Sequence, residues 1–207
     1  MPFARHLRAV TAVAAVALTT LVGCTNASQQ TPVVVPGGSS ASAGLPSADL
    51  SKVTKDAAAA ALVPSNVAAK GTWVIATGPD YPPAEFLDPK DGQTQVGYDM
   101  DLIKAIGLKL GLKVDIQSAQ FDSILGGIGS KYDAAISSFT ITPQRLQAVD
   151  MVSYLKAGSA LAVQKGNPKQ LTIDNMCGKT IGVQTGSVQE TDDLPAFNKK
   201  CTDAGKP

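Results

Sequence analysis

Thr72-Trp73-Val74-Ile75-Ala76-Thr77 runs directly into Gly78-Pro79-Asp80-Tyr81-Pro82-Pro83. The first half is apolar and β-branched and reads as a buried strand. The glycine and prolines of the second half break regular structure. Beyond them, Leu102, Ile103, Ile106 and Leu110 recur at helical spacing, with Asp99 placed to cap the helix and Gly111 to end it. Lys113 to Gln117 alternates as a second strand. Ser123 to Ile128 carries Ile124, Leu125 and Ile128 on one helical face, and Tyr132 to Ser137 reads as a third strand. Thr142-Pro143 opens a further helix, because proline suits the first helical position.

Strand and helix alternating in this way imply an α/β fold, a parallel sheet with crossover helices. Ligands of such open sheets bind beyond the carboxyl ends of the strands. Those ends carry Tyr81, Phe121 and the segment Ser137 to Arg145, so three loops are expected to converge on one cleft. A second unit begins near Gly158. Ser159 to Gln164 and Lys179 to Gln184 read as strands, and a helix runs from Gly186-Ser187 toward Cys201. Only about 50 residues make up this unit, fewer than most independent domains need, so the sequence reads as incomplete.

Arg5 and Arg8 precede an apolar run, Ala9 to Val22, that is short for a membrane-spanning helix and suits the core of a signal peptide. Leu21-Val22-Gly23-Cys24 resembles a bacterial lipobox. Residues 1–23 are then a removable leader, and Cys24 is a lipidated first residue on the outer face of the cell membrane. Cleavage elsewhere, with Cys24 an ordinary thiol, is the alternative. Residues 24–66 read as a flexible tether of small and polar residues that ends in a short helix over Lys52 to Val63, rich in alanine and stopped by Pro64.

Composition narrows the function. The 207 residues are 44% hydrophobic and 17% charged, enough apolar material for a core. A net charge of +1, with no basic run, gives a nucleic acid nothing to hold. The single histidine, His6, lies in the leader, so the exported chain has none for nucleophilic triads or for zinc. No metal and no cofactor is expected. With Cys24 lipidated, Cys177 and Cys201 remain as a pair that outside the cytoplasm usually closes a disulfide, two free thiols being the alternative.

Several blocks carry a resemblance. They are Asp80-Tyr81-Pro82-Pro83, Val96-Gly97-Tyr98-Asp99-Met100-Asp101-Leu102, Gly129-Ser130-Lys131-Tyr132-Asp133-Ala134, Ile136-Ser137-Ser138-Phe139-Thr140-Ile141-Thr142-Pro143-Gln144-Arg145, Val149-Asp150 and Lys179-Thr180-Ile181-Gly182-Val183-Gln184-Thr185-Gly186-Ser187. In this order they resemble the solute-binding proteins of polar amino-acid ABC importers, family 3 of the bacterial extracellular binding proteins. The resemblance implies a two-lobed, type II periplasmic-binding-protein fold that closes on a free amino acid and delivers it to a membrane permease. Residues 67–157 would be most of lobe 1 and 158–207 the start of lobe 2. Such proteins are not enzymes and are expected to be monomers. A few relatives are exported dehydratases, and Glu85 is the one nearby acid–base candidate for that alternative. A truncated fragment that binds nothing is another.

Ligand chemistry assigns the roles. Arg145 offers a donor fork that matches a carboxylate. Backbone N–H groups near Thr140 and Ser187 can join it. The Ser138 carbonyl and the Thr140 hydroxyl can meet an ammonium, and Tyr81 and Phe121 can sandwich an aliphatic side chain. The family uses the matching positions in these ways. Asp99 and Asp101 sit at a helix start, where capping and dipole compensation account for them without catalysis. Gly78 stands where relatives for basic amino acids carry an acid, which leads to the expectation of a ligand that is polar but not strongly basic.

Overall fold

Trp73 and Ile75 point to one side of the central strand and Val74 and Ala76 to the other, the two-residue alternation of a pleated strand buried on both faces. The computed structural model describes Leu45 and residues 47–206, all within one compact unit, Ala43–Pro207. The leader and Cys24 lie outside the described residues.

Two short helices come first, α1 (Ala57–Ala61) and α2 (Ser65–Lys70). The single helix expected over Lys52 to Val63 is therefore shorter. Asp56 caps α1 by accepting from the N–H groups of Ala58 and Ala59, and Pro64 separates it from α2. Ser47 and Ala48, read as tether, donate to the two carboxylate oxygens of Asp101 at 2.8 and 2.7 Å.

Strand β1 (Thr72–Thr77) follows. The loop after it, expected to be irregular, forms a small antiparallel sheet of β2 (Asp80–Tyr81), β3 (Glu85–Leu87) and β4 (Gln95–Val96) in the order β2-β3-β4. Helix α3 (Tyr98–Leu110) leads to β5 (Lys113–Ser118), α4 (Phe121–Gly127) and β6 (Ala134–Ala135). The main sheet is parallel, in the order β5-β1-β6, with β5 paired along the whole of β1. Met100 and Ile103 of α3 pack on one face with Ile75 and Ile136, and Ile124 of α4 packs on the other with Ala76 and Tyr132.

Gly97, and not Asp99, stands at the start of α3. Its φ is +122°, and a side chain there would lie 2.1 Å from the Ala84 carbonyl oxygen. Only glycine fits, so the helix starts earlier than the acidic residue suggests, and Asp99 turns inward, fully buried. Gly111 ends α3 in the left-handed conformation, as expected.

Helix α5 (Pro143–Leu146) starts at the expected proline, with the Thr142 hydroxyl accepting from the Arg145 N–H. The expected strands over Ser159 to Gln164 and Lys179 to Gln184 do not form: both stretches lie outside any ladder among the described residues. A strand is defined by its partner, and the β-propensity of these residues finds none here. A turn of π-helix, Gln189–Asp193, leads into α6 (Leu194–Asp203), the helix expected after Gly186-Ser187.

Candidate ligand-binding site

Because β5, β1 and β6 are parallel, the loops after them leave on one edge of the sheet. Phe121 opens α4 just beyond β5. The segment after β6 brings Phe139 against it, with ring centroids 4.4 Å apart and planes inclined by 23°. The Arg145 guanidinium carbon lies 5.3 Å from the Phe139 ring and 5.8 Å from the Phe121 ring, within cation–π range of both.

Two of the five guanidinium donors are engaged. Nη1 donates to the Thr140 carbonyl at 2.7 Å and Nη2 to the Gly186 carbonyl at 2.8 Å. Burial pulls the guanidinium below its ordinary value, with Asp192 acting in the opposite sense. The residue remains a cation on an aromatic floor, with donors left for an anion.

Gly186 reaches this position through close packing. Its φ is +78°, and a side chain there would lie 2.8 Å from Cβ of Asp122. Its N–H donates to a Glu190 carboxylate oxygen at 2.7 Å. Ser187 is buried; its N–H donates to the Gln184 carbonyl and its hydroxyl accepts weakly from the Glu190 N–H. The Glu190 carboxylate thus holds the Gly186 N–H while the Glu190 N–H reaches back to the Ser187 hydroxyl, which ties the Gly186-Ser187 turn to the helix that follows.

On the opposite lip, Gln184 donates to Asp80 Oδ1 at 3.2 Å. The same oxygen lies 3.4 Å from the point where a Cβ on Gly78 would stand. A carboxylate therefore occupies the end of β1 although residue 78 has no side chain. Tyr81 beside it is 53% exposed. Phe121 stacks on Phe139 and, among the described residues, has no stacking partner in Tyr81.

Ser138 has a φ of +50°, a left-handed conformation rare for a residue with a side chain. Its N–H donates to the Tyr154 hydroxyl and its own hydroxyl to Glu85. The structure thus gathers Phe121, Thr140 and Arg145 with Gly186, places Ser138 behind them, and sets Tyr81 at the lip. Phe139 was missed, although it lies inside a quoted block, directly after Ser138. Glu85, Asp99 and Tyr154 were not read as one group, since they are far apart in sequence and no local pattern links them. Among the described residues no cluster of potential ligands for a metal occurs.

A parallel α/β sheet whose edge loops set one arginine on an aromatic floor is the architecture of one lobe of a periplasmic-binding-protein-like fold. Residues 73–205 match the bacterial extracellular solute-binding proteins, family 3, and the chain belongs to that family. Among its relatives is the arginine-binding protein ArgT of Corynebacterium glutamicum, 33% identical over 147 residues, 70% of this chain and 48% of that protein. An ancestral arginine-binding protein bound to arginine superposes with a TM-score of 0.57 at 39% identity, over 65% of this chain and 58% of that one. The ancestral amino acid-binding protein AncCDT-1, described as a precursor of cyclohexadienyl dehydratase, gives a TM-score of 0.59 at 32% identity, over 65% and 60%. The chain spans about half the length of the curated relative it matches.

Proposed function

We propose that this protein captures a free amino acid outside the cytoplasmic membrane for delivery to an ABC import permease, by closure of two lobes and without covalent chemistry. The observation that carries this reading is Arg145, held over Phe121 and Phe139 with part of its donor fork unengaged. A carboxylate is the anion that fork fits. Phe121, Thr140 and Ser138 line the approach, Tyr81 closes over the ligand, and the loop at Ser187 shields it.

The ligand class is that of basic amino acids. Two relatives are named for, or hold, arginine. Asp80 supplies the negative charge that Gly78 lacks, which replaces the expectation of a non-basic ligand drawn from Gly78 alone. Capture without chemistry is supported by Glu85, the candidate acid–base residue of a dehydratase: at 1% exposure it is closed off from any solute in the cleft.

The surrounding assignments belong to the same proposal. Residues 1–23 are a signal peptide, Cys24 is lipidated and tethers the protein to the outer face of the membrane through residues 24–66, residues 67–157 form lobe 1 and 158–207 begin lobe 2. Cys177 and Cys201 form a disulfide, supported by Cα atoms 5.5 Å apart, the separation such a bridge needs. The protein acts as a monomer.

Calorimetric titration with each common amino acid tests the reading. Binding of one or two of them is expected, with Arg145→Ala weakening it about 100-fold and Arg145→Lys failing to restore it, since lysine lacks the planar fork. Binding of none, or binding indifferent to Arg145, overturns it.

A further inference from the structure

Glu85 on β3 and Asp99 on α3 are 1% and 0% exposed. Removing two carboxylates from water and setting them side by side is strongly unfavourable unless cations or protons compensate. No cation does so: the ion pairs among the described residues are Lys70–Asp133 and Lys199–Asp203.

The hydrogen bonds leave one oxygen over. Ser137 donates to Glu85 Oε1 at 3.0 Å and Ser138 to Glu85 Oε2 at 3.2 Å. Tyr154 donates to Asp99 Oδ2 at 2.7 Å. Asp99 Oδ1 is buried and has no donor among the protein's fixed hydrogens. The Ser138 hydroxyl lies within 3.2 Å of Glu85 Oε2 and 3.5 Å of Asp99 Oδ2, which sets the two carboxyls side by side, and an unpartnered buried acceptor there calls for a proton on its neighbour.

We propose that Glu85 and Asp99 share one proton, carried by Glu85 and donated to Asp99, and that this pair is a positioning device for the ligand-facing turn. Ser138 is the residue it holds. A serine at φ +50° is strained, because its Cβ crowds the backbone in the left-handed region. Three contacts keep it there: its N–H on Tyr154, its hydroxyl on Glu85, and its hydroxyl near Asp99 at 3.5 Å. Phe139 and Thr140, which floor and anchor Arg145, follow it directly. Tyr154 lies on the segment leaving lobe 1, so the pair also ties that segment to α3.

The environment agrees with the geometry. Burial, then the charge of Asp99, pushes the Glu85 carboxyl up to about 8. Burial raises Asp99 too, against the lowering effect of the Tyr154 hydroxyl. The titratable groups facing the pair are Tyr154, Tyr98 at the start of α3 and, beyond it, Tyr81 of β2. Burial raises the first two above the ordinary tyrosine value, so both stay neutral through the range in which Glu85 titrates. No lysine or arginine enters this set.

The sign follows. Between the unfolded value of 4.5 and the folded value of about 8, the folded chain holds a proton that the unfolded chain has lost. This contribution to stability is complete below the lower value, declines as pH rises, and is gone above the upper one. When the proton leaves Glu85 for solvent, two adjacent buried carboxylates repel and the Ser138 turn loses its support.

The test is a carbon NMR titration of the Glu85 side-chain carboxyl in the full chain, together with thermal midpoints of wild type, Glu85→Gln and Glu85→Ala from about pH 5 to about pH 9. Glu85 is expected to titrate near 8, and the wild-type midpoint to fall by roughly 5 °C or more up to that pH. Glu85→Gln, whose amide donates at every pH, is expected to show no such fall and to exceed wild type at the alkaline end. Glu85→Ala is expected to be low throughout. A Glu85 carboxyl that titrates in the ordinary range, or a Glu85→Gln profile parallel to wild type, overturns the proposal. The NMR titration needs no variant to fold. The link from Ser138 to ligand rests on the receptor reading, whereas neither measurement uses ligand, so the two fail separately. If the receptor reading holds, Glu85→Gln also removes the alkaline loss of amino-acid affinity.

Discussion

Asp80 bends back along its own loop to the end of β1 and meets a glutamine from across the cleft. If it carries the charge for a cationic ligand, Asp80→Asn lowers arginine affinity roughly three- to tenfold and leaves glutamine affinity unchanged, the range of a partly exposed ion pair. Titration with the two amino acids side by side measures it. Arg145 and Thr140 could be singled out in the sequence because they lie in one quoted block, and Phe121 because it follows the second strand; the structure brings the three together, and their contact with a ligand is the proposal. Phe139 could not, since adjacent residues of a loop leave ring direction unspecified. The Glu85–Asp99 contact was equally hidden: the residues are far apart in sequence, and the hairpin that joins them was itself unseen.

Helix α3 contains a glycine where its own propensity would favour alanine. A Cβ on Gly107 would lie 2.3 Å from Val114 Cγ2 on β5, so the glycine lets helix and strand approach closely. Gly107→Ala gains about 1 kcal/mol of helix propensity but overpacks the interface by roughly 1–3 kcal/mol. The net result is expected to be a lower urea midpoint with an unchanged slope. The βαβαβ order was legible because long periodic segments, β1, α3 and β5, announce themselves. The strands of the small sheet, two or three residues each, are too short to carry a period. Ser159 to Gln164 and Lys179 to Gln184 failed for the opposite reason. Their residues suit strands, but pairing decides, and it is not a local property.

At the scale of the whole chain, the proposed disulfide between Cys177 and Cys201 would join the segment before the last loop to α6 across 24 residues of sequence. A closed loop of that length contributes about 3 kcal/mol by restricting the unfolded chain. Reduction is therefore expected to lower the thermal midpoint by roughly 6–12 °C. Thiol counting before and after denaturation measures how much of the pair is oxidised. Composition set only outer limits on function. It could not indicate how far the chain extends along its relatives' length.

The carboxylate of Asp80 lies beside Gly78, 3.4 Å from the point where a side chain there would begin, so a second acid at 78 would meet its charge. The two positions are thus not free to drift independently in descent. An acid gained at 78 brings like charges together unless 80 has already lost its own, and a loss at 80 leaves this place without an acid until 78 supplies one. If this position carries the charge for a cationic ligand, a lineage changing between these arrangements would pass through an intermediate with a weakened hold on it. Ligand preference in such a lineage would change through a brief loss, not by smooth exchange.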